Sequence, residues 1–482
     1  MSPQQLIGWA CAAVVAVGCG GSPAAPADAT SELECGLGCV DLYVVAHEDD
    51  DLLFMNPDIA DSIHAGARVV VLYLTAGDLG DPKHDQYWID RERGVVNAYT
   101  AMAVGDGEAL SEYRPGAEIP AGWTRVEHVG DARFGGFVPA EYELAIGGAP
   151  RVALLFARLG DFQEECLWEQ HGGCNRANPS PAGGPYAAFT RACPGNAAAC
   201  VAGSEVPAQQ LGRDGMLALL GGLIAREGPD RVSALDATGV EFDRLGDATR
   251  RGPEAGYVEY WDHYYSAMFA LSAVIEALPA RSAPPRVRLY RGYTVARSPA
   301  NVSAEPLDGK AATFARYAMF DADIVKPPTP AAFVIDHDQH YAGAYRVDDP
   351  ESWQAREYAA ESVSWVGQAG ALATPGGCVG AGLAQVPCTG APEWTSRDGR
   401  GLQLVGGTSC IAVAADGTVR LDACATEDAN VLLMFANGQI RTRAGRCLEL
   451  VDQLIATDCH DVREDDHVTG EVPASQRFSL QP

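Results

Sequence analysis

At 482 residues the chain exceeds what one hydrophobic core usually organises, so two or three domains are expected. Hydrophobic residues make up 47%, which excludes wholesale disorder. A formal charge of −29, from 35 basic against 64 acidic side chains, works against phosphate backbones and anionic lipid headgroups, so no nucleic-acid partner is expected.

The first segment, "LIGWACAAVVAV", is an apolar run of secretory length, too short to span a bilayer. It leads into "AVGCGGSPAAPADATSE", small residues followed by an Ala/Pro/Ser tether. This resembles a bacterial lipoprotein signal with Cys19 as the lipid-bearing residue. An ordinary secretory signal is the alternative, since no Lys or Arg precedes Arg68. Either reading predicts export to the cell envelope or beyond, with membrane contact only through the lipid. Cysteine usage fits an oxidising compartment. Beyond Cys11 and Cys19, twelve remain in close pairs: Cys35 and Cys39, Cys166 and Cys174, Cys193 and Cys200, Cys378 and Cys388, Cys410 and Cys424, Cys447 and Cys459. Neighbour pairing into disulfides is the expectation.

From Val40 onward strand-like and helix-like segments alternate. "VDLYVVA" (40–46) and "RVVVLYLTAG" (68–77) read as buried strands, with a short helix in "NPDIADSIHAGA" between them. A helix at 87–103, strands at 151–159 and 231–237, a helix at about 208–226 and another within 259–278 follow. Such alternation predicts an α/β fold, a Rossmann-like parallel sheet with helices on both faces and ligands beyond the carboxyl ends of the strands. Residues 105–150 and 164–206, rich in Gly, Pro and Ala, read as long surface loops, and 286–365 as strand-like and mixed.

After about residue 366, Gly rises and helical periodicity ends. Three similar units appear, "GGCVGAGLAQVPCTGAPEW", "TSCIAVAADGTVRLDACATEDANVLLMF" and "GRCLELVDQLIATDCHD", the last closing at "QRF". Each has a Cys, a short strand, a turn, a second Cys and an aromatic: Trp394, Phe435 and Phe478. A threefold repeat of this kind predicts a closed all-β fold with the aromatics in its core. The expected domains are a signal and tether at 1–34, an α/β domain at 35–365 and the repeat at 366–482.

The chemistry concentrates in "LYVVAHEDDDLLFMN" (42–56), where His47, Glu48, Asp49, Asp50 and Asp51 stand between two apolar runs at the end of a strand. A catalytic zinc takes three protein ligands from imidazoles and carboxylates and keeps an open position for water, with a nearby carboxylate to take that water's proton. The cluster supplies two ligands and a base; the third ligand must come from elsewhere. His263 in "EYWDHYYSAMFALSAVIEAL" and His337 or His340 in "VIDHDQHY" are the candidates, and spacing leaves that choice open. The bland alternative is an acidic surface loop, and a calcium site would want more oxygen ligands than this.

"VVAHEDDDLLFMNPD", "LTAGDLG", "YWIDRERGVVNAYTAMA" and "YWDHYYSA", in this order, resemble the PIG-L/LmbE-like N-acetyl-sugar deacetylases over residues 40 to about 365. The resemblance implies zinc held by His47, Asp50 and His263, Asp49 as general base, Asp262 orienting the centre and Arg91 near the substrate. Tyr260 stands where that family has a histidine serving the oxyanion and the leaving amine. A tyrosine there can donate a hydrogen bond but is a poor acid near neutral pH. Glu48 replaces the motif's Pro and Asp51 its Glu. The three repeats resemble ricin-B-type β-trefoil lectins, which implies a β-trefoil in which Glu449 is the one acidic residue placed to meet a sugar. Together these imply an exported, zinc-dependent deacetylase of N-acetylated sugars or glycans with a carbohydrate-binding module. The competing reading is a carbohydrate-binding surface protein whose metal site has decayed, as Tyr260 permits.

Overall fold

Alternation of side chains across buried strands builds the centre of the molecule. The computed structural model describes residues 36–77, 85–104, 122–126, 134, 136–161, 167, 186–187, 209–236, 261–277, 285–293, 295, 298–321, 324, 352–363, 368–396, 401–414, 417–424, 432–435, 438–442, 446–457, 463–464, 467–468 and 472–481. Strands β1 (Val40–Val45) and β2 (Arg68–Thr75) run parallel, with Leu42 beside Val70 and Val44 beside Leu72. Leu42, Val44, Val70 and Leu72 enter one apolar core, while Tyr43, Val45, Val69 and Val71 enter another on the opposite face.

Helices α1 (Asp50–Phe54), α2 (Asp58–His64) and α3 (Asp85–Val104) cover the Tyr43 face. The chain then forms β3 (Trp123–Val126), β4 (Ala140–Ile146), β5 (Ala149–Leu159) and a small ladder of β6 (Tyr186–Ala187) with β7 (Gln210–Leu211). Helix α4 (Arg213–Glu227) ends on Gly228, whose φ of 60° provides the left-handed cap. After β8 (Arg231–Leu235), helix α5 (Trp261–Ala277) joins α4 on the Leu42 face. Strand β9 (Arg286–Tyr290), helix α6 (Ala304–Ala318) and β10 (Ala359–Val363) complete the α/β region, with α6 on the Tyr43 face.

The sheet order is β3–β4–β5–β2–β1–β8–β9–β10. Its five central strands, β5, β2, β1, β8 and β9, are parallel, and helices lie on both faces. The expectation of a parallel sheet is corrected at the margins: β3, β4 and β10 are antiparallel to their neighbours. The expectation of a loop over 105–150 is corrected with it. Gly147 and Gly148, at φ 63° and 84°, form the two-residue turn that folds β4 back on β5. Glycines that suggested a loop are a hairpin turn. Helix α6 also departs from the strand-like reading of 286–365. It buries Lys310, Thr313, Phe314, Tyr317 and Ala318, a helical spacing masked by Pro306 and Gly309.

The C-terminal region is all-β and antiparallel. One sheet runs from Ala369–Thr374 through Val419–Ala423, with Ser479–Gln481 closing onto its first strand. Four further strands, Leu432–Phe435, Ile440–Thr442, Cys447–Leu450 and Leu454–Thr457, extend the edge of the α/β sheet through β10. Leu372, Trp394, Ile411, Leu432, Leu448 and Phe478 share a core, so all three repeats contribute to it. Phe435 differs from the expectation: it and Leu433 pack into the Leu42-face core of the α/β region. Strand alternation explains this, because Leu432 and Met434 point to the repeat core and the residues between point the other way.

Disulfides join Cys378 to Cys388 and Cys410 to Cys424, and Cys39 and Cys447 are disulfide-bonded as well. Cys19, Cys35, Cys166, Cys174, Cys193, Cys200 and Cys459 lie outside the described residues. Among the described residues, no helix is long and apolar enough to cross a membrane.

Candidate metal centre

The acidic cluster is not a solvated loop. His47 and Glu48 follow β1 directly, Asp49 stands at the start of α1, and Asp50 and Asp51 form its first turn. His47, Glu48, Asp50 and Asp51 are buried, and Asp49 keeps 13% of its side chain exposed. Charged groups enter a site this dry only when they are paired or held for a ligand.

His263, in the first turn of α5, is fully buried and brings its Nε2 to 2.8 Å from Asp50 Oδ1. Asp50 Oδ2 accepts the His47 backbone N–H at 2.7 Å and lies 3.4 Å from His47 Nδ1. Ligand atoms of His47, Asp50 and His263 all fall within 4.8 Å of one another. Two imidazoles and a carboxylate are a donor set suited to zinc. His337 and His340 lie outside the described residues, as does Tyr260. The His263 ring is enclosed edge-on by Tyr293 at 4.8 Å, His47 at 5.3 Å and Phe54 at 6.0 Å, and Tyr293 stacks on the buried Trp353 at 4.5 Å.

The opposite edge of His47 meets a second pair of acids. Its Nε2 lies 3.5 Å from Asp262 Oδ2 and 4.0 Å from Asp161 Oδ1. These three also place ligand atoms within 4.8 Å of one another. Asp161 was not foreseen from sequence; its only signal is that it is the first acid beyond the buried strand β5. Asp262 is adjacent to His263 in the chain but addresses His47.

Electrostatics follow from burial and pairing. Burial opposes the charge on Asp50, yet His263 and His47 outweigh it and hold the carboxyl well below the usual range. Burial likewise opposes protonation of His47, but Asp50 and Asp262 raise its pKa well above the ordinary value. Asp49 is raised by burial, against the pull of Arg91. Asp51 is pushed up to about 7 by burial, against hydrogen bonds from Tyr99 and Tyr73 at 2.5 and 2.7 Å.

Arg91, expected near the substrate, is buried on α3 behind Asp49. Its Nη2 donates to Asp49 Oδ1 at 2.6 Å, Nη1 to the Gly77 carbonyl at 2.8 Å, and Nε to the Tyr317 hydroxyl at 2.6 Å. Asp321 Oδ2 lies 3.2 Å from Nε and Glu48 Oε2 lies 3.5 Å from Nη1. Arg91 is thus a strut for Asp49, and Glu48 is raised well above the ordinary carboxylate range by burial despite Arg91. The next residue, Glu92, receives Arg158 at 2.5 and 2.7 Å. Arg158 has a φ of 61° at the carboxyl end of β5, three residues before Asp161. In the repeat region, Glu449 Oε1 accepts a hydrogen bond from Ser475 Oγ at 2.8 Å.

No curated protein matches the chain. Among solved structures, the zinc-inhibited form of teicoplanin deacetylase Orf2 is similar at 13% identity and a TM-score of 0.29, over 59% of this chain and 85% of that one. The 4-carboxy-2-hydroxymuconate hydratase GalB from Pseudomonas putida KT2440 is similar at 12% identity and 0.29, over 62% and 93%. A deacetylase–bog complex from the teicoplanin biosynthesis pathway is similar at 14% identity and 0.29, over 59% and 85%. Residues 42–114, the stretch that carries His47, Asp49, Asp50 and Arg91, match the PIG-L family model, GlcNAc-PI de-N-acetylase.

Proposed function

We propose that the chain is a zinc-dependent hydrolase that removes acetyl groups from N-acetylated sugars or glycans. The observation that carries this reading is the convergence of His47, Asp50 and His263 in one buried cluster, beside the less buried Asp49. These donors fit zinc better than calcium, which prefers six to eight oxygens. Zinc, when bound by these three residues, would supply Lewis acidity toward an acetamide carbonyl and lower the pKa of water.

The chain's own residues supply the rest. Asp49 takes the proton of the attacking water, a role favoured by its raised pKa. Arg91 fixes the orientation of that carboxylate through the 2.6 Å hydrogen bond. Asp262, with Asp161 beside it, holds the Nε2 edge of His47, as carboxylates do for metal-bound imidazoles. Tyr260 donates a hydrogen bond to the developing oxyanion, a contribution of about 2.7–4 kcal/mol where such donors have been removed. Products are acetate and a free amino sugar.

The remaining parts follow from sequence. Residues 1–34 act as an export signal and tether with Cys19 lipidated, 35–365 form the deacetylase domain, and 366–482 form a ricin-B-like β-trefoil that places the enzyme on glycan through Glu449. The shared core of the three repeats supports the trefoil assignment. Tyr260 favours one competing reading, a carbohydrate-binding surface protein with a decayed catalytic centre.

Metal analysis paired with acetate release from N-acetylglucosamine-containing glycans tests the proposal on wild type, Asp49→Ala and His263→Ala. Wild type should carry about one zinc and release acetate, as a three-ligand catalytic site requires. Asp49→Ala should keep the metal and lose activity, and His263→Ala should lose both. Zinc retained by His263→Ala would remove the third ligand from the scheme, and zinc without acetate from any glycan would favour the binding protein.

A further inference from the structure

We infer that the C-terminal β region is part of the catalytic centre rather than an appended module, with Arg441 as the positioning residue that joins them. Arg441 is almost fully buried, at 1% exposure. Its Nη1 donates to Asp236 Oδ1 at 2.7 Å and its Nη2 to Asp236 Oδ2 at 3.3 Å, a two-point grip on one carboxylate. Gln439 Oε1 accepts from Nη2 at 2.7 Å, and the guanidinium lies 4.5 Å over the Phe435 ring.

The position of Asp236 gives this contact its meaning. It is the first residue beyond β8, at the carboxyl end of the parallel strands. β8 pairs with β1 in a register that sets Val44 beside Ala234, so Asp236 lies level with Ala46, the residue before His47. α5 packs on both β8 and β1, running back along them, and carries Asp262 and His263 in its first turn at this same end. The Asp236 backbone N–H donates to the Tyr290 carbonyl at 2.5 Å, tying it to the end of β9 as well. Arg441 therefore grips the end of β8, the strand that pairs with the one delivering His47 and lies against the helix delivering His263. The sheet carries the same connection: Leu432–Phe435 pairs with β10, and Leu433 and Phe435 enter the α/β core. Nor is the charge incidental, since without Arg441 a buried carboxylate would stand uncompensated at the same end of the sheet as the acidic cluster.

The inference rests on the metal-centre reading, so its test has two readouts, both on the full chain. Arg441→Met keeps an unbranched side chain against Phe435 and removes the cation. Amide hydrogen exchange should accelerate at residues 231–236 and in the first turn of α5 while circular dichroism stays native. Zinc affinity should weaken, by less than the roughly tenfold loss that follows removal of a group bonded directly to a ligand. Arg441→Met combined with Asp236→Asn should leave both perturbed, because the grip is still missing although no lone buried carboxylate remains. Native exchange in both segments of a folded Arg441→Met protein, or full recovery in the double variant, would overturn the role. Should Arg441→Met not fold, Asp236→Asn alone, which leaves Arg441 its Gln439 and Phe435 contacts, gives the same exchange test with the same overturning result. Wild type without zinc would overturn the metal reading, and the exchange result would still decide the positioning role.

Discussion

Asp262 and His263 are neighbours in the chain, yet they meet different partners: His263 faces Asp50 at 2.8 Å, and the Asp262 carboxylate approaches Nε2 of His47 at 3.5 Å. One helical turn thus carries one of the proposed ligands and the carboxylate that faces a second, which arrives from β1. Asp262→Asn keeps the shape and removes the charge, so the imidazole of His47 loses its preferred orientation and basicity. Zinc affinity should fall roughly 10–100-fold while His263 stays in place. Isothermal titration of the metal-free protein reads this directly, and an unchanged affinity would dissociate Asp262 from His47.

In the proposed mechanism, Arg91 and Asp49 set the acid side of the pH profile. Burial raises the pKa of Asp49, and the adjacent guanidinium opposes that rise. In Arg91→Met the opposing charge is gone, so the pKa of Asp49 climbs further and less of it is ionised at neutral pH. The acidic limb of kcat/KM should shift to higher pH. The plateau should drop as well, within the 10²–10⁴ range that general-base catalysis supplies. A lower plateau with an unmoved limb would mean that Arg91 acts on geometry alone.

Gly77 is the gate through which Arg91 reaches Asp49. Its φ is 56°, and a Cβ there would come to 1.9 Å from Arg91 Nη1 and 2.4 Å from Glu48 Oε2. Gly77→Ala must therefore push the guanidinium off the Gly77 carbonyl and out of line with Asp49. Metal content should stay at the wild-type level while acetate release falls, because none of the three proposed ligands is touched. Loss of zinc in Gly77→Ala would show instead that the Glu48–Arg91 pair props up the ligand loop.

His47 and Asp50 were legible because the chemistry needs rare residue types at fixed places in an apolar context, whereas spacing left His263 open against His337 and His340 and the family resemblance singled it out. A charged run enclosed by two buried strands and helices has few uses. Asp161 was not legible, since a single Asp after a strand resembles any loop residue until the sheet places β5 two strands from β1. Arg91 was visible as a residue of interest, but its direction was not: only the packing of α3 against Tyr317 and Asp321 turns it toward Asp49. The central parallel strands declared themselves through continuous apolar runs buried on both faces. The antiparallel margin did not, because its hairpin turn is made of glycines that also suit a loop. Phe435 carried the repeat's signature aromatic, yet one residue of strand alternation sends it to a different core from Trp394 and Phe478.

Lys310 gives the fold a pH dependence separate from the metal centre. It is buried in α6, donates to the Arg356 carbonyl at 3.1 Å, and its pKa is lowered to about 8 by burial, against the pull of Glu357 and Asp58. The unfolded chain holds this proton up to the ordinary lysine value of 10.5, so between pH 8 and 10.5 it binds more protons than the native state. By linkage, stability from this group rises with pH across that window, and below pH 8 its full cost is present. The gain from one end to the other is roughly 3 kcal/mol, at 1.36 kcal/mol per unit. Tyrosines titrate over the same range, so the quantity to measure is the stability of wild type minus that of Lys310→Met, from urea unfolding at each pH. That difference should climb by about this amount from pH 8 to 10.5. A flat difference would mean that Lys310 stays charged in the native state, with Glu357 as its ionised partner.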